Sequence, residues 1–152
     1  MSTATLKDQS SRDEADIRAL IETVHKAHHS KDAAALVAPY ARDSVVFDLA
    51  PPLSHRGTEL RELVEAWLDT WEGPIVRESR DFSITVRGDL AFCHGFYRLS
   101  GTIKAGSQPV SFWMRATVCL LREAGAWRIT HEHTSVPFYM DGSLRPAFDL
   151  NP

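Results

Sequence analysis

Apolar residues recur every three or four positions over residues 13–29, with polar residues between them. This spacing puts the apolar side chains on one face and predicts a first α-helix. Ser11 and Glu14 have the spacing of a capping box, in which each side chain satisfies a free backbone N–H group of the other residue. The preceding residues 1–12 are polar and without a period, so we predict a flexible N-terminal tail there.

Two shorter helices are predicted further along the chain. Ser30 or Asp32 can cap a helix over residues 33–40, which a proline near its end keeps short. Thr58 can cap a third helix, whose broad apolar face extends over residues 60–71. The glycine-proline pair that follows is a stop signal and is predicted to end this helix.

Strand-like segments make up most of the remaining chain. Alternating residues rich in Val, Thr and aromatic side chains predict strands at about 44–49, 79–87, 89–104, 108–122 and 126–136. Glycine-containing turns separate the last four of them. The element order predicts a single α+β domain, in which a curved antiparallel sheet packs against three N-terminal helices.

The domain is predicted to span residues 13–138. The last residues, 139–152, hold two aromatic side chains among turn residues and are predicted to be an ordered tail. Such a tail can cover either the pocket of the domain or a dimer interface.

One strand-like segment, residues 110–121, is apolar on both of its alternating faces. A strand buried on both faces needs cover on both sides of its sheet. The helices can cover only one side, so we predict that a second copy of the chain covers the other side in a homodimer. The alternative is a sheet sandwiched within one monomer, with the C-terminal tail as part of the cover.

The charge balance excludes two classes of partner. With 17 basic and 20 acidic residues the net charge is −3, so neither nucleic acid nor an anionic membrane surface is expected as a partner. No apolar run approaches the roughly 18 residues of a membrane span, and the N-terminus lacks the apolar stretch of a secretion signal. Cys93 and Cys119 lie outside any metal-type spacing. We therefore expect a cytoplasmic protein with reduced, buried thiols.

Five ionisable residues of the predicted strands are candidates for the site, because a charged side chain on a strand is costly unless it is paired or hydrated. They are Asp48, His94, Arg115, His131 and His133. The alternation of strand side chains predicts that all five point to the concave side of the sheet. There a carboxylate can act as a base, a guanidinium can hold an anion, and an imidazole can move a proton. Structural roles remain open for each, such as capping of backbone N–H groups by Asp48 or an ion pair in the core for Arg115.

The other histidines and a possible metal site are weaker candidates. His25, His28 and His29 follow helical spacing and are predicted to have packing or surface roles, and His55 is predicted to lie in a loop. The two histidines of the last strand, with one more strand histidine or carboxylate, would make three metal ligands. No further motif supports such a site, and phosphate-binding and dinucleotide motifs are absent from the sequence. We therefore predict no metal and no cofactor.

Four segments carry a resemblance to a known family. They are residues 40–48, the Arg-Gly pair before the third helix, residues 115–117, and residues 127–135, which end in His-x-His-x-Ser. Over residues 13–138 the chain resembles the SnoaL-like domains of the nuclear transport factor 2-like (NTF2-like) superfamily, particularly the ketosteroid-isomerase homologues. The resemblance implies a cone-shaped sheet, usually in a homodimer, with a pocket between the helices and the sheet.

The same resemblance implies roles for individual positions. Asp48 falls where ketosteroid isomerases have their general-base aspartate. The positions of their two oxyanion donors, a tyrosine and an aspartic acid, correspond here to Val24 and Thr117. Because neither donor is present, steroid isomerase activity is not expected.

We interpret the chain as a small-molecule pocket protein, and we expect a cofactor-independent enzyme that transfers a proton on an apolar carbonyl compound, as an isomerase, cyclase or dehydratase. Asp48 is the predicted base and Arg115 the predicted anion-binding group. His131 or His133 is the predicted second acid–base group. The predicted pocket walls contain Val24, Trp67, Trp71, Phe92, His94, Phe96, Trp113, Thr117 and Phe138. The alternatives are a non-catalytic homodimeric module that binds a ligand or peptide, and a structural homodimer with a vestigial pocket.

Overall fold

The computed structural model describes the backbone of residues 3–152 and the side chains from residue 8 onward. It contains three helices, α1 (Thr3–Ser30), α2 (Ala33–Val37) and α3 (Leu60–Leu68). The predicted start of α1 is wrong, because the helix runs through Ser11 and leaves no capping box there. Residues 1 and 2 of the predicted flexible tail lie outside the described residues. The N-cap of α2 is confirmed, since the Asp32 carboxylate accepts a hydrogen bond from the Ala35 N–H at 3.0 Å.

Six strands form one curved sheet. They are β1 (Tyr40–Phe47), β2 (His55–Arg56), β3 (Trp71–Arg87), β4 (Leu90–Ile103), β5 (Gln108–Glu123) and β6 (Ala126–Ser135). Their order across the sheet is β2-β1-β6-β5-β4-β3. Strands β3 to β6 form the predicted antiparallel meander, whereas β1 pairs with β6 in parallel. The predicted α+β architecture is confirmed, with the sheet open rather than closed into a barrel.

The junction between α3 and β3 differs from the prediction. Helix α3 ends at Leu68, and Trp71, predicted on its apolar face, is the first residue of β3. The predicted stop signal lies inside β3, where Gly73 has φ of 68° within an irregularity of the β3–β4 pairing. A bulge allows a strand to pass residues that would otherwise interrupt its hydrogen-bond ladder. Strand β3 is therefore longer at its N-terminal end than the predicted 79–87.

The sheet has two faces of different character. The face that packs against α1 carries Cys93, Tyr97 and Val118, all buried, and is called here the inner face. The outer face carries the alternate residues of the same strands, including Phe92, which is 45% exposed. The apolar stripe of α1, with Ile17 fully buried, covers the inner face as the helical periodicity predicts.

A bulge in β6 changes which of its residues reach the inner face. Ile129 pairs with Leu120, but the next paired residue, His131, is opposite Cys119, so that Thr130 is an extra residue in the ladder. Before the bulge, the odd-numbered Ile129 is buried on the inner face. After it, the even-numbered Glu132 is buried there instead. The bulge thus reverses the side-chain alternation of the last strand.

A buried carboxylate fixes the N-terminal half of α1 to the sheet. Asp13, 2% exposed, accepts a hydrogen bond from Arg122 of β5 at 2.7 Å, and Arg122 also bonds to Asp89 at 3.0 Å. The hydrogen bond from Arg122 lowers the pKa of Asp13 below its ordinary value. This contact attaches α1 to β5 of the sheet. No helix within residues 3–152 is both long and apolar enough to cross a membrane.

Gly57, which follows β2, is packed too tightly for any side chain. A Cβ atom there would lie 2.6 Å from the Ser44 hydroxyl oxygen and 2.7 Å from the Arg42 carbonyl oxygen. We predict that Gly57→Ala lowers the free energy of unfolding by about 1–3 kcal/mol, because the backbone of β1 must move to admit a methyl group. Urea denaturation measures this, with the exposed Ser54→Ala as control. A Gly57→Ala protein as stable as the control would contradict the prediction.

Candidate functional site

A cavity of about 760 Å³ lies between the inner face of the sheet and the helices. Apolar side chains from every helix line it, with Val24 from α1, Leu36 from α2 and Trp67 from α3. The C-terminal tail contributes Phe148, whose ring packs against Phe112 of β5 with centroids 4.7 Å apart. The polar residues of the wall are His28, Tyr40, Asp48, His55, Arg77, Gln108, Ser111, Glu132 and Thr134. A few polar groups in a largely apolar concave site are typical of small-molecule pockets.

A buried ion pair occupies one wall of the cavity. Arg77 of β3 donates to Glu132 of β6 at 2.9 Å, and both side chains are less than 10% exposed. Tyr40 donates its hydroxyl proton to the second oxygen of Glu132 at 2.6 Å, and the guanidinium lies 3.9 Å from the ring centre of Tyr97. Burial has the largest single effect on the pKa of Arg77 and lowers it, but the charge of Glu132, the two neighbouring tyrosines and the hydrogen bond to Glu132 together raise that pKa above its ordinary value. Burial, followed by the charge of Glu132, raises the pKa of Tyr40.

His28 completes this network as a neutral imidazole. Burial and then the nearby Arg77 lower the pKa of His28 from 6.5 to about 3. Its Nδ1 lies 2.7 Å from the Val24 carbonyl oxygen, which can only accept, so Nδ1 carries the proton. Nε2 is then the acceptor for the Arg77 N–H at 3.3 Å. The neighbouring His25 is also held neutral, with a pKa lowered to about 4 mainly by burial.

Asp48 lies at the edge of the cavity, just after the end of β1. One of its carboxylate oxygens accepts hydrogen bonds from the Leu49 N–H at 2.7 Å and from the Thr134 hydroxyl at 3.3 Å. Among residues 8–152, no cationic side chain forms an ion pair with it. Asp48 is therefore a carboxylate that has hydrogen bonds but no ion pair within residues 8–152, and it lies beside the largely apolar cavity.

The other three predicted catalytic residues do not reach the cavity. Arg115 is exposed on the outer face, where it donates to the Ser135 hydroxyl at 3.1 Å. His131 and His133 also lie on the outer face, because the β6 bulge reverses the alternation between Ile129 and His131. The predicted convergence of these three side chains with Asp48 is wrong. The bulge accounts for the two histidines of β6, whereas for Arg115 on the regular strand β5 the prediction chose the wrong face of the strand.

The predicted pocket walls are correct for three of nine residues. Val24, Trp67 and Trp71 line the cavity. The outer face instead carries Phe92, His94, Phe96, Trp113 and Thr117. The inner side of β4 and β5 carries the alternate residues of these strands, including Tyr97 and Phe112. Phe138 is 58% exposed in the tail, and Phe148 reaches the cavity in its place.

Four site residues were missed from the sequence. Arg77 lies in a segment of mixed charge without a visible pattern, and Tyr40 was noted only as part of a family motif. His28 has the helical spacing of a packing residue, which is consistent with its buried position. Glu132 stands between the two histidines that were considered instead, and the bulge that brings it inward has no signal in the sequence. Within the described residues, no group of three potential ligands is arranged to hold a metal ion.

Comparisons with known proteins agree on the fold. The family model described as "SnoaL-like domain" matches residues 17–139. An NTF2-like protein of unknown function from Pseudomonas putida KT2440 is 33% identical with a TM-score of 0.84, covering 94% of this chain and 99% of that chain. No curated protein matches the chain significantly.

Two more distant structures share the fold alone. A ketosteroid isomerase-like protein from Erwinia carotovora atroseptica SCRI1043 is 23% identical with a TM-score of 0.68, over 80% of this chain and 93% of that chain. A hexachlorocyclohexane dehydrochlorinase (LinA) type 2 is 13% identical with a TM-score of 0.73, over 82% and 84% of the two chains. A ketosteroid isomerase-like protein and a dehydrochlorinase therefore share this architecture.

The buried histidines predict a loss of stability in mild acid. The ordinary histidine pKa is 6.5, and that of folded His28 is about 3. Between these values the unfolded chain binds a proton that the folded protein does not. The contribution of His28 to the free energy of unfolding is therefore complete above pH 6.5. Below that pH it falls by about 1.4 kcal/mol per pH unit. Urea denaturation from pH 7 to pH 4 measures this slope. His28→Gln should reduce it by about that amount and exposed His29→Gln should not; an unchanged slope in His28→Gln would contradict the assignment.

Proposed function

This chain belongs to the SnoaL-like domain family of NTF2-like proteins, and we propose that it binds a small, mostly apolar carbonyl compound in its cavity and transfers a proton on it without a cofactor. The observation that supports this proposal is the position of Asp48, a carboxylate without a cationic partner among residues 8–152, at the edge of a cavity of about 760 Å³. A ketosteroid isomerase-like protein and a dehydrochlorinase share the fold. Fold alone does not select a substrate, so the proposal rests on the site.

Asp48 is the proposed general base. Its free carboxylate oxygen takes a proton from the carbon next to the substrate carbonyl. The electron pair of that C–H bond forms a carbon–carbon double bond, and the carbonyl π electrons move to oxygen as an enolate. Return of the proton to a different carbon gives an isomer, and return to the same carbon gives exchange with solvent. The Thr134 hydroxyl, which donates to the other carboxylate oxygen, holds Asp48 toward the cavity.

Solvent exchange provides a direct test of this base. In deuterium oxide, the wild-type protein should accelerate loss of the methyl proton signal of 2-acetylnaphthalene, measured by NMR. We predict that Asp48→Asn reduces this acceleration about 100-fold or more, as expected when a positioned base is removed. The matched control is Asp43→Asn, an exposed carboxylate on the same strand. Equal acceleration by wild type and Asp48→Asn would exclude Asp48 as the base.

A non-catalytic binding module is the second candidate function. It is favoured by the mutual satisfaction of the buried charges, since Arg77, Glu132 and Tyr40 bond to one another rather than pointing free into the cavity. In that case the same cavity holds a ligand without changing it. Binding of 2-acetylnaphthalene without any acceleration of exchange would support this candidate over the enzyme.

We also propose that a second copy of the chain covers the outer face. Phe47 and Leu121 are each 39% exposed there and Phe92 is 45% exposed, on three different strands of one surface. The half-buried Phe96 and Trp113 extend this apolar surface. Contiguous apolar patches of this kind are characteristic of interfaces, and two identical sheet faces can pair about a two-fold axis.

The mass of the protein in solution tests the dimer. Sedimentation equilibrium should give twice the chain mass of 17.0 kDa for the wild type. Phe92→Glu should give the mass of one chain, because an interface charge without a partner loses its hydration. Leu53→Glu, at a 96% exposed position in a loop, is the control and should remain a dimer. A wild-type protein that sediments as a single chain would contradict the proposal.

A further inference from the structure

His55 lies on the cavity wall although the sequence predicted a loop position. It is the first residue of β2 and pairs with Val46 of β1, which in turn pairs with Glu132 of β6. Residues opposite one another in neighbouring strands point to the same face of a sheet. The three side chains therefore form a row across the inner face, and all three line the cavity. His55 is only 6% exposed.

The imidazole of His55 is not used by the protein. Within residues 8–152, no hydrogen bond, ion pair or ring contact engages its side chain. This distinguishes it from the other histidines of the cavity region, since His28 and His25 each have hydrogen-bond partners. Buried polar groups nearly always have partners in folded proteins, and an exception calls for an explanation.

The other donors of the buried cavity wall are either engaged or enclosed, since Trp71 Nε1 and Arg77 Nε have no partner but are too deeply buried to reach a ligand. The Tyr40 hydroxyl donates to Glu132, and Thr134 donates to Asp48. The terminal nitrogens of Arg77 donate to Glu132 and His28. An imidazole carries at least one N–H donor in either tautomer and in its protonated form. His55 therefore offers the cavity a donor that no protein acceptor occupies.

His55 and Asp48 are placed to act on the same molecule. Asp48 is the first residue after β1 and lies two positions beyond Val46, the partner of His55, so it is a diagonal neighbour of His55, and both residues line the cavity. Such diagonal pairs are separated by roughly 7–8 Å. This separation leaves room for a carbonyl group and its adjacent carbon between the two side chains.

We propose that His55 binds the carbonyl oxygen of the substrate and stabilises the enolate formed when Asp48 removes the neighbouring proton. This inference rests on the proposed function and adds the group that holds the oxygen. The imidazole N–H donates a hydrogen bond to the carbonyl oxygen and keeps its proton. As the C–H electron pair moves into the carbon–carbon bond, negative charge collects on that oxygen, and the hydrogen bond becomes stronger. The ligand class is an apolar ring system with one ketone or aldehyde group.

A matched pair of probes tests the hydrogen bond separately from catalysis. 2-Acetylnaphthalene carries the carbonyl group, and 2-ethylnaphthalene has the same apolar body without it. Quenching of tryptophan fluorescence reports binding, since Trp67 and Trp71 line the cavity. Wild type should bind the ketone about 3- to 10-fold more tightly than the hydrocarbon, the range of one neutral hydrogen bond. His55→Phe should abolish this preference, and exposed His29→Phe should retain it.

A conservative variant and a spectroscopic measurement complete the test. His55→Gln keeps an N–H donor and should retain part of the preference. In wild type, the imidazole signals of one histidine should shift with the ketone and not with the hydrocarbon, which does not depend on any variant folding. Equal binding of the two probes by wild type, or an unchanged preference in His55→Phe, overturns the role of His55. If the preference depends on His55 but no exchange is catalysed, His55 remains the ligand contact and the proton transfer is excluded. If neither probe binds, both proposals are overturned.

Discussion

The ion pair between Arg77 and Glu132 is the contact on which the shape of the cavity depends. In the sheet, β4 and β5 stand between the strands that carry these two residues. Neighbouring strands are about 4.8 Å apart, so a flat sheet would separate the two backbones by about 14 Å. The contact at 2.9 Å joins β3 to β6 across the inner face and favours the curvature of the sheet around the cavity. Such a pair gives little net stability by itself, but a buried charge left without its partner is costly. A flatter sheet that separated the two side chains would therefore be penalised.

The same pair determines which polar groups remain available to a ligand. Arg77 has its terminal nitrogens on Glu132 and His28, and its charge helps to keep His28 neutral. This network closes one wall of the cavity. Asp48 follows β1 and His55 begins β2, and neither belongs to this network. The proposed reactive groups are therefore at β2 and the end of β1, whereas β3 and β6 carry the ion pair.

The β6 bulge decides which side chains of the last strand face the cavity and which lie on the outer face. By inserting Thr130 it turns Glu132 toward the cavity and sends His131 to the outer face. The outer face then combines histidine and aromatic side chains with an apolar surface, while the inner face keeps its buried charges paired. One extra residue thus decides which side chains of β6 face the cavity and which belong to the face proposed for association with another copy.

The sequence by itself determined the three helices, the longer strands and their order, because helical and strand periodicities are local features of the chain. It also placed Asp48, Trp67 and Val24 at the cavity, since each lies where the local period and the family resemblance agree. The tertiary structure alone decided the phase of β6, the inward position of Arg77 and the pairing of β2 with β1. These depend on a bulge and on contacts between residues far apart in the chain, such as the pairs Arg77–Glu132 and Val46–His55. The alternating pattern of a strand does not show where a bulge reverses it, so the two histidines of the last strand were predicted on the wrong face.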